Sequence, residues 1–324
     1  MIFFANIQKS SYFCKKFCKI MEEEQKIVTN SAKAWLLAAR PKTLSGAAVP
    51  VMIGVALAYS DSSLYGEGAF SWIAALLCFL FAFAMQIDAN FINDFFDYVN
   101  GTDDAETRLG PRRACAQGWV KLESMKKAIA LTTCIACVIG LPLVYYGGWE
   151  MVLVGMLCVV FAFLYTTWFS YQGLGDLLVL VFFGLVPVCC TYYVQLHAFT
   201  WEVLMASIAC GLVIDALLII NNFRDRDNDR EAGKNTIIVL LGAEAGLQLY
   251  IGVGIGAIIL GGAFLMNGHP LAFLLPIIYL ALHFFTYLKI KRIYQGKALN
   301  LCLGETARNI FIYGVCVSLG ILLL

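Results

Sequence analysis

Two acidic runs hold the residues of this sequence best suited to chemistry. The first opens with Asp88-Ala89, reaches Asn93-Asp94-Phe95-Phe96-Asp97, and runs on through Asp103 and Asp104 to Arg108, Arg112 and Arg113. The second opens with Asp215-Ala216, reaches Asn221-Asn222-Phe223-Arg224-Asp225, and runs on through Asp227 and Asp229 to Arg230 and Lys234. On a helix, Asn93 and Asp97 share a face, as do Asn221, Asp225 and Asp229. Mg2+ is commonly held by one or two carboxylates together with waters and substrate phosphates. Two such stripes facing one another would bind two ions and clamp a diphosphate between them, neutralising it as a leaving group. Arg108, Arg112, Arg113, Arg230 and Lys234 would bind the same oxygens, arginine in bidentate fashion and lysine as a point charge. Asp225, Asp227 and Asp229 also sit like the start of a calcium loop, but Arg230 stands where that loop needs glycine and Thr236 where it needs glutamate. Asp94, Asp104, Asp227 and Glu231 are expected to be solvated neighbours of the ligands.

The elements that must carry these runs are membrane helices. The chain has 324 residues, 60% hydrophobic and 14% charged, with mean hydropathy +0.77, where a soluble domain carries about 25% charge. That excludes a soluble enzyme and a disordered protein. Nine apolar spans are expected, at 34–59, 70–92, 128–147, 151–169, 174–196, 201–222, 239–266, 271–288 and 307–324. With the N-terminus in the cytoplasm, all 23 Lys and Arg fall in the N-terminal segment, the loops after spans two, six and eight, or the helix ends beside them. The positive-inside rule then sets an odd number of spans and places both acidic runs on the cytoplasmic side of the inner membrane. Residues 34–324 read as one transmembrane domain, after a polar segment 1–33. Residues 1–20 hold scattered lysines and too short an apolar stretch for a secretory signal, and Met21 opens a polar run like an ordinary start. Among the 12 cysteines, Cys134, Cys137, Cys189, Cys190 and Cys210 read as small buried hydrophobes, and no metal role is expected for His197, His269 or His283.

Both acidic runs repeat one pattern: Asp-Ala inside a span, then Asn and Asp four apart, then emergence on the same side. Four spans separate them, which preserves direction. Such parallel copies suggest a duplication about an axis normal to the membrane, bringing the stripes together on one cavity.

At these residues the sequence resembles the UbiA superfamily of intramembrane prenyltransferases, whose Asp-rich motifs have the forms NDxxDxxxD and DxxxD. Gly101 stands where the last Asp of the first motif would fall, with Asp103 the nearest carboxylate. That shift is similar to the branch acting on 1,4-dihydroxy-2-naphthoate in menaquinone synthesis. Arg40-Pro41-Lys42-Thr43-Leu44, Arg108-Leu109-Gly110-Pro111-Arg112-Arg113 and Gln117-Gly118 agree with it, as does the second run, over residues 34–324. Asn235 departs from the basic residue expected before Thr236. The resemblance implies an all-α polytopic fold of nine helices around a cavity open to the cytoplasm. It implies Mg2+ on Asn93, Asp97, Asp225 and Asp229, as two ions bridging the diphosphate. It assigns substrate contacts to Arg40, Lys42, Asp103, Arg108, Arg112, Arg113, Asn222, Arg230 and Lys234. The implied reaction moves a polyprenyl group from its diphosphate to the naphthoate, with decarboxylation, giving demethylmenaquinol. The expected partners are the polyprenyl diphosphate, the aromatic acid and the bilayer, with no nucleic acid; oligomeric state is left open.

Tyr165 is the candidate to face the allylic cation, a ring face contributing about 0.5–2 kcal/mol; anchoring at the membrane interface is its other reading. Arg40, followed by a proline in an apolar span, needs a carboxylate partner or a path to the headgroups. Asp88, Asp215 and Glu244 read either as supports for Asn93, Asn221 or an arginine, or as packing groups, and Asp176 as a carboxylate at a helix start. Prenyltransferases acting on 4-hydroxybenzoate or homogentisate are the nearest rivals. A cation-coupled transporter is the rival of another class, although such proteins bind ions near the bilayer midplane.

Overall fold

A computed structural model describes residues 27–66, 68–101, 108–169 and 172–323. Asp103, Asp104 and the leader 1–20 with Met21 lie outside the described residues.

Apolar runs become helices here where a hydroxyl can take up the free N–H groups at their start. Ser31 accepts from the Ala34 N–H at 3.2 Å and opens α1 (Ala32–Ala39). The chain then breaks at Arg40, in the left-handed region at φ 50°, and restarts through the 3-10 turn Pro41–Thr43 into α2 (Leu44–Asp61). Ser71 caps α3 (Trp72–Val99) by accepting from Ala74. After α4 (Leu122–Gly140), α5 (Glu150–Thr167) and α6 (Gly175–Leu196), Thr200 caps α7 (Trp201–Glu231) by accepting from Val203. The chain ends with α8 (Ala243–Leu260), α9 (Ile277–Ile293) and α10 (Leu299–Leu322), joined to their neighbours in part by short helical turns. Both acidic helices therefore begin alike, with a hydroxyl cap followed by tryptophan.

Seven stretches among the described residues are long and apolar enough to cross a membrane: Ala32–Tyr65, α3, α5, α6, α7, Ala243–Met266 and Pro270–Ile293. The chain is a multi-pass membrane protein, all-helical over the described residues. The third and ninth expected spans, 128–147 and 307–324, overlap α4 and α10, which are not among these seven stretches. Both helices begin earlier than expected, at Leu122 and Leu299, because turns bearing Glu123, Lys126 and Glu305 continue the same helices.

Helix α7 is the core element, with 67% of its apolar stretch buried against 22% for α3. It packs on α6, α8 and α10, while α3 packs on α4 and α5. Glycines let α6 and α7 approach: a Cβ on Gly184 would stand 2.6 Å from the Ser207 carbonyl oxygen and 2.8 Å from Gly211 Cα. Gly184 lies in a π turn, Leu180–Leu185, just before Pro187. Pro187 has no N–H to give one turn back, and the Phe183 carbonyl takes the Cys210 thiol at 3.9 Å. At the end of the bundle away from the acidic motifs, His269 joins Glu202 at 2.9 Å and Ser60 at 3.0 Å, and Tyr192 donates to Asp61 at 2.6 Å. The cysteines among the described residues are free. Cys134 and Cys137, expected to be buried, instead lie on the exposed face of α4, where a thiol serves as an apolar outer surface.

Helices α2 to α7 leave between them a cavity of about 670 Å3, walled by apolar side chains and bordered by polar ones that include Asn93, Tyr165 and Asn221.

Candidate active site

The first acidic motif is built by a loop folding back on its helix. Asp94 is fully buried, and its two oxygens accept the Ala114 and Cys115 N–H groups, each at 2.9 Å. This corrects the expectation of a solvated Asp94: the carboxylate is enclosed because it takes up the loop's backbone donors. The loop in turn delivers Arg113 to Asp97 at 3.1 Å. Asn93 Oδ1 accepts from the Thr166 hydroxyl at 2.7 Å, which aims the amide from α5. Gly101 has φ +71°, so the position where the family's acid is missing is a left-handed turn at the end of α3, a conformation that favours glycine.

The second motif is braced from the last helix. Arg224 holds Asp225 in a two-pronged pair at 2.8 and 2.6 Å and donates to Asn300 Oδ1 at 2.8 Å. Asn300 then donates to the Leu109 carbonyl at 2.8 Å, so one amide joins α10, α7 and the loop after α3. A Cβ on Gly110 would lie 2.6 Å from Arg224 Nη2 and 3.3 Å from Arg108 Nη2, so glycine is what lets the loop lie over both guanidiniums. Asp229 faces Lys234 Nζ at 3.7 Å, and the chain turns back at Gly233, φ +72°.

The two motifs meet. Asp229 lies within electrostatic reach of Asp97 and Asp225, and Asp97 within reach of Lys234, Arg108 and Arg40. Asn93 and Asn221 border the same cavity, below the carboxylates. The donor set is an amide carbonyl and carboxylate oxygens, which suits a hard cation such as Mg2+. Among the described residues no three His, Cys, Asp or Glu side chains form a cage of their own.

Lys42, Arg112 and Arg230 are exposed, while Asn222 is partly buried on α7. Asp103 lies outside the described residues. Asp88 supports neither Asn93 nor an arginine: it is buried and accepts from the Thr132 and Thr133 hydroxyls of α4. Sequence reasoning missed three positioning residues, Thr166, Asn300 and Asn90. Asn90 donates to the Ala39 carbonyl and the Thr43 hydroxyl, both at 2.9 Å, and so holds the break that presents Arg40. Its signal was present: an asparagine inside the apolar span, one helical turn before Asp94.

Fold and site together are those of an all-helical membrane enzyme. The chain belongs to the UbiA prenyltransferase family, whose model matches residues 47–314. It is 38% identical over 228 residues to a 1,4-dihydroxy-2-naphthoate octaprenyltransferase of Escherichia coli (strain K12), covering 68% of this chain and 71% of that protein. An apo UbiA homolog from Aeropyrum pernix K1 superposes with TM-score 0.63 at 16% identity, over 86% of this chain and 97% of its own. A UbiA homolog from Archaeoglobus fulgidus, solved bound to DMAPP and Mg2+, superposes with TM-score 0.57 at 15% identity, over 88% of this chain and 99% of its own. The protein is thus a prenyltransferase, and the transporter reading is set aside.

Proposed function

We propose that this prenyltransferase moves a polyprenyl group from polyprenyl diphosphate to 1,4-dihydroxy-2-naphthoate, with loss of the ring carboxylate, giving demethylmenaquinol. The observation that carries the reading is the meeting of Asp97 and Asp229, from separate halves of the chain, over an apolar cavity bordered by Asn93 and Asn221. The acceptor assignment is supported by the naphthoate-specific name of the Escherichia coli relative. Asn93, Asp97, Asp225 and Asp229 would hold Mg2+, as two ions, supplying the Lewis acidity that draws charge from the departing diphosphate. Arg108, Arg113 and Lys234 already face the carboxylates and would turn to the diphosphate oxygens, with Lys42, Arg112, Asn222 and Arg230 at the approach; Asp103 is kept as a substrate contact on the resemblance alone. Arg40 would take the acceptor's carboxylate. Tyr165 and the apolar walls would face the allylic cation and keep water from it. In this reading the site opens to the cytoplasmic side of the inner membrane, following the distribution of Lys and Arg.

The test is to incubate membranes containing the protein with Mg2+, a polyprenyl diphosphate and each of 1,4-dihydroxy-2-naphthoate, 4-hydroxybenzoate and homogentisate separately, identifying products by mass. A prenylated, decarboxylated naphthoquinol supports the reading. A product from either of the other acids alone overturns the choice of acceptor.

A further inference from the structure

Helices α5, α6 and α7 meet at a second polar cluster, beside the acidic motifs. Tyr165 comes from α5, Asp176 from the first turn of α6 and Asp215 from α7. A Cβ on Gly175 would stand 3.3 Å from Leu218 Cδ2 and 3.8 Å from the Tyr165 hydroxyl, so the three helices touch here. Tyr165, Leu178 and Leu218 all line the apolar cavity. Asp215 is 5% exposed, and its Oδ1 has no hydrogen-bond partner among the described residues. Its charged neighbour is Asp176, and both carboxylates lie within electrostatic reach of Tyr165, with Asp97 of α3 the further charged group near that ring.

Burying a carboxylate oxygen without a partner is unfavourable, and no hydrogen bond to Asp215 Oδ1 offsets it among the described residues. Two carboxylates within electrostatic reach of one another resist carrying two charges, so such a pair shares a proton. Prenylation of a hydroxynaphthoate calls for such a group. As the ring carbon bonds to the allylic cation, the adjacent ring C–OH becomes a carbonyl and sheds its proton. The resulting β-keto carboxylate then loses CO2, and the electron pair of the broken C–C bond leaves an enolate that must regain a proton.

We propose that the Asp176–Asp215 pair, behind the cavity wall at Tyr165, is the proton store of this reaction. It takes the hydroxyl proton as the C–C bond forms and returns it to the enolate oxygen as CO2 departs. The protein ends each cycle with the protons it began with, and no further reactant is needed. The inference rests on the naphthoate reading of the active site.

The test measures the prenylation of 1,4-dihydroxy-2-naphthoate by the full chain and by Asp215→Asn and Asp215→Glu. In parallel, Mg2+-dependent binding of geranyl thiolodiphosphate is followed by titration. Asp215→Asn is expected to lower kcat about 100-fold or more with unchanged thiolodiphosphate affinity, and Asp215→Glu to recover part of the loss. With the 1-methoxy acceptor, which has no proton to give at that oxygen, the gap between wild type and Asp215→Asn should close. Wild-type activity in Asp215→Asn, an undiminished gap with the methoxy acceptor, or a loss of thiolodiphosphate binding that accounts for the lost turnover would overturn the proton store alone. A wild-type protein that prenylates only a different acid overturns the naphthoate reading, and the proton store with it.

Discussion

Helix α3 turns its extra carboxylate inward, whereas the extra carboxylate of α7, two residues past Asp225, is exposed. Asp94 is fully buried and fastens the Ala114 and Cys115 N–H groups, while Asp227 is exposed. The reason lies in what each helix packs against. Helix α3 is largely peripheral and must recruit a loop to enclose its motif; α7 is already central and takes its brace, Arg224 with Asn300, from a neighbouring helix. Two copies of one acidic pattern thus do the same work with different scaffolding. The scaffolding therefore sets how each copy responds to change.

The sharpest way to break this comparison is to remove one carboxylate from each copy. Asp97→Ala and Asp225→Ala should each lower turnover by about 100- to 1000-fold, with the folded protein still in the membrane; measured product formation shows whether the halves contribute alike. A variant of either kind with full activity would remove that residue from the site. Next in size is Asp94→Ala, which strands two buried N–H groups at about 1–3 kcal/mol each and should lower the melting temperature in detergent, whereas Asp227→Ala should leave it unchanged. Equal melting of the two variants would erase the difference between the copies. Asn300→Ala comes third. It removes one of the partners of Arg224 and frees the Leu109 carbonyl, a loss of about 1–3 kcal/mol, and should raise the KM for the donor diphosphate through a loosened Arg108–Arg113 loop; steady-state kinetics at saturating acceptor measure it. Smallest is Lys234→Ala, for which donor KM should rise several-fold with kcat nearly unchanged. An unchanged KM would place Lys234 as a partner of Asp229 only.

Much of the candidate site's geometry could be read in advance, because acidic residues are costly in an apolar span and their spacing shows which share a helix face. Asn93, Asp97, Asp225 and Asp229 were recognisable on that ground. Asp94 was not, since a residue adjacent to a ligand looks solvated until a loop is known to close over it. Asn300 was hidden more deeply: its partners Arg224 and Leu109 are 76 and 191 residues away, and no local pattern records such a contact. The starts of α4 and α10 were missed for a simpler reason, because a hydropathy window ends where charges begin but a helix does not.

The Asn300 amide also bears on biosynthesis. Its helix is the last of the described elements to leave the ribosome, yet its side chain is the peg that fastens the arginine-rich loop to Asp225's guanidinium partner. A nascent chain with its acidic helices already inserted therefore lacks the fastening that sets its cations in register. The register of Arg108, Arg113 and Arg224 is therefore completed only once α10 has docked.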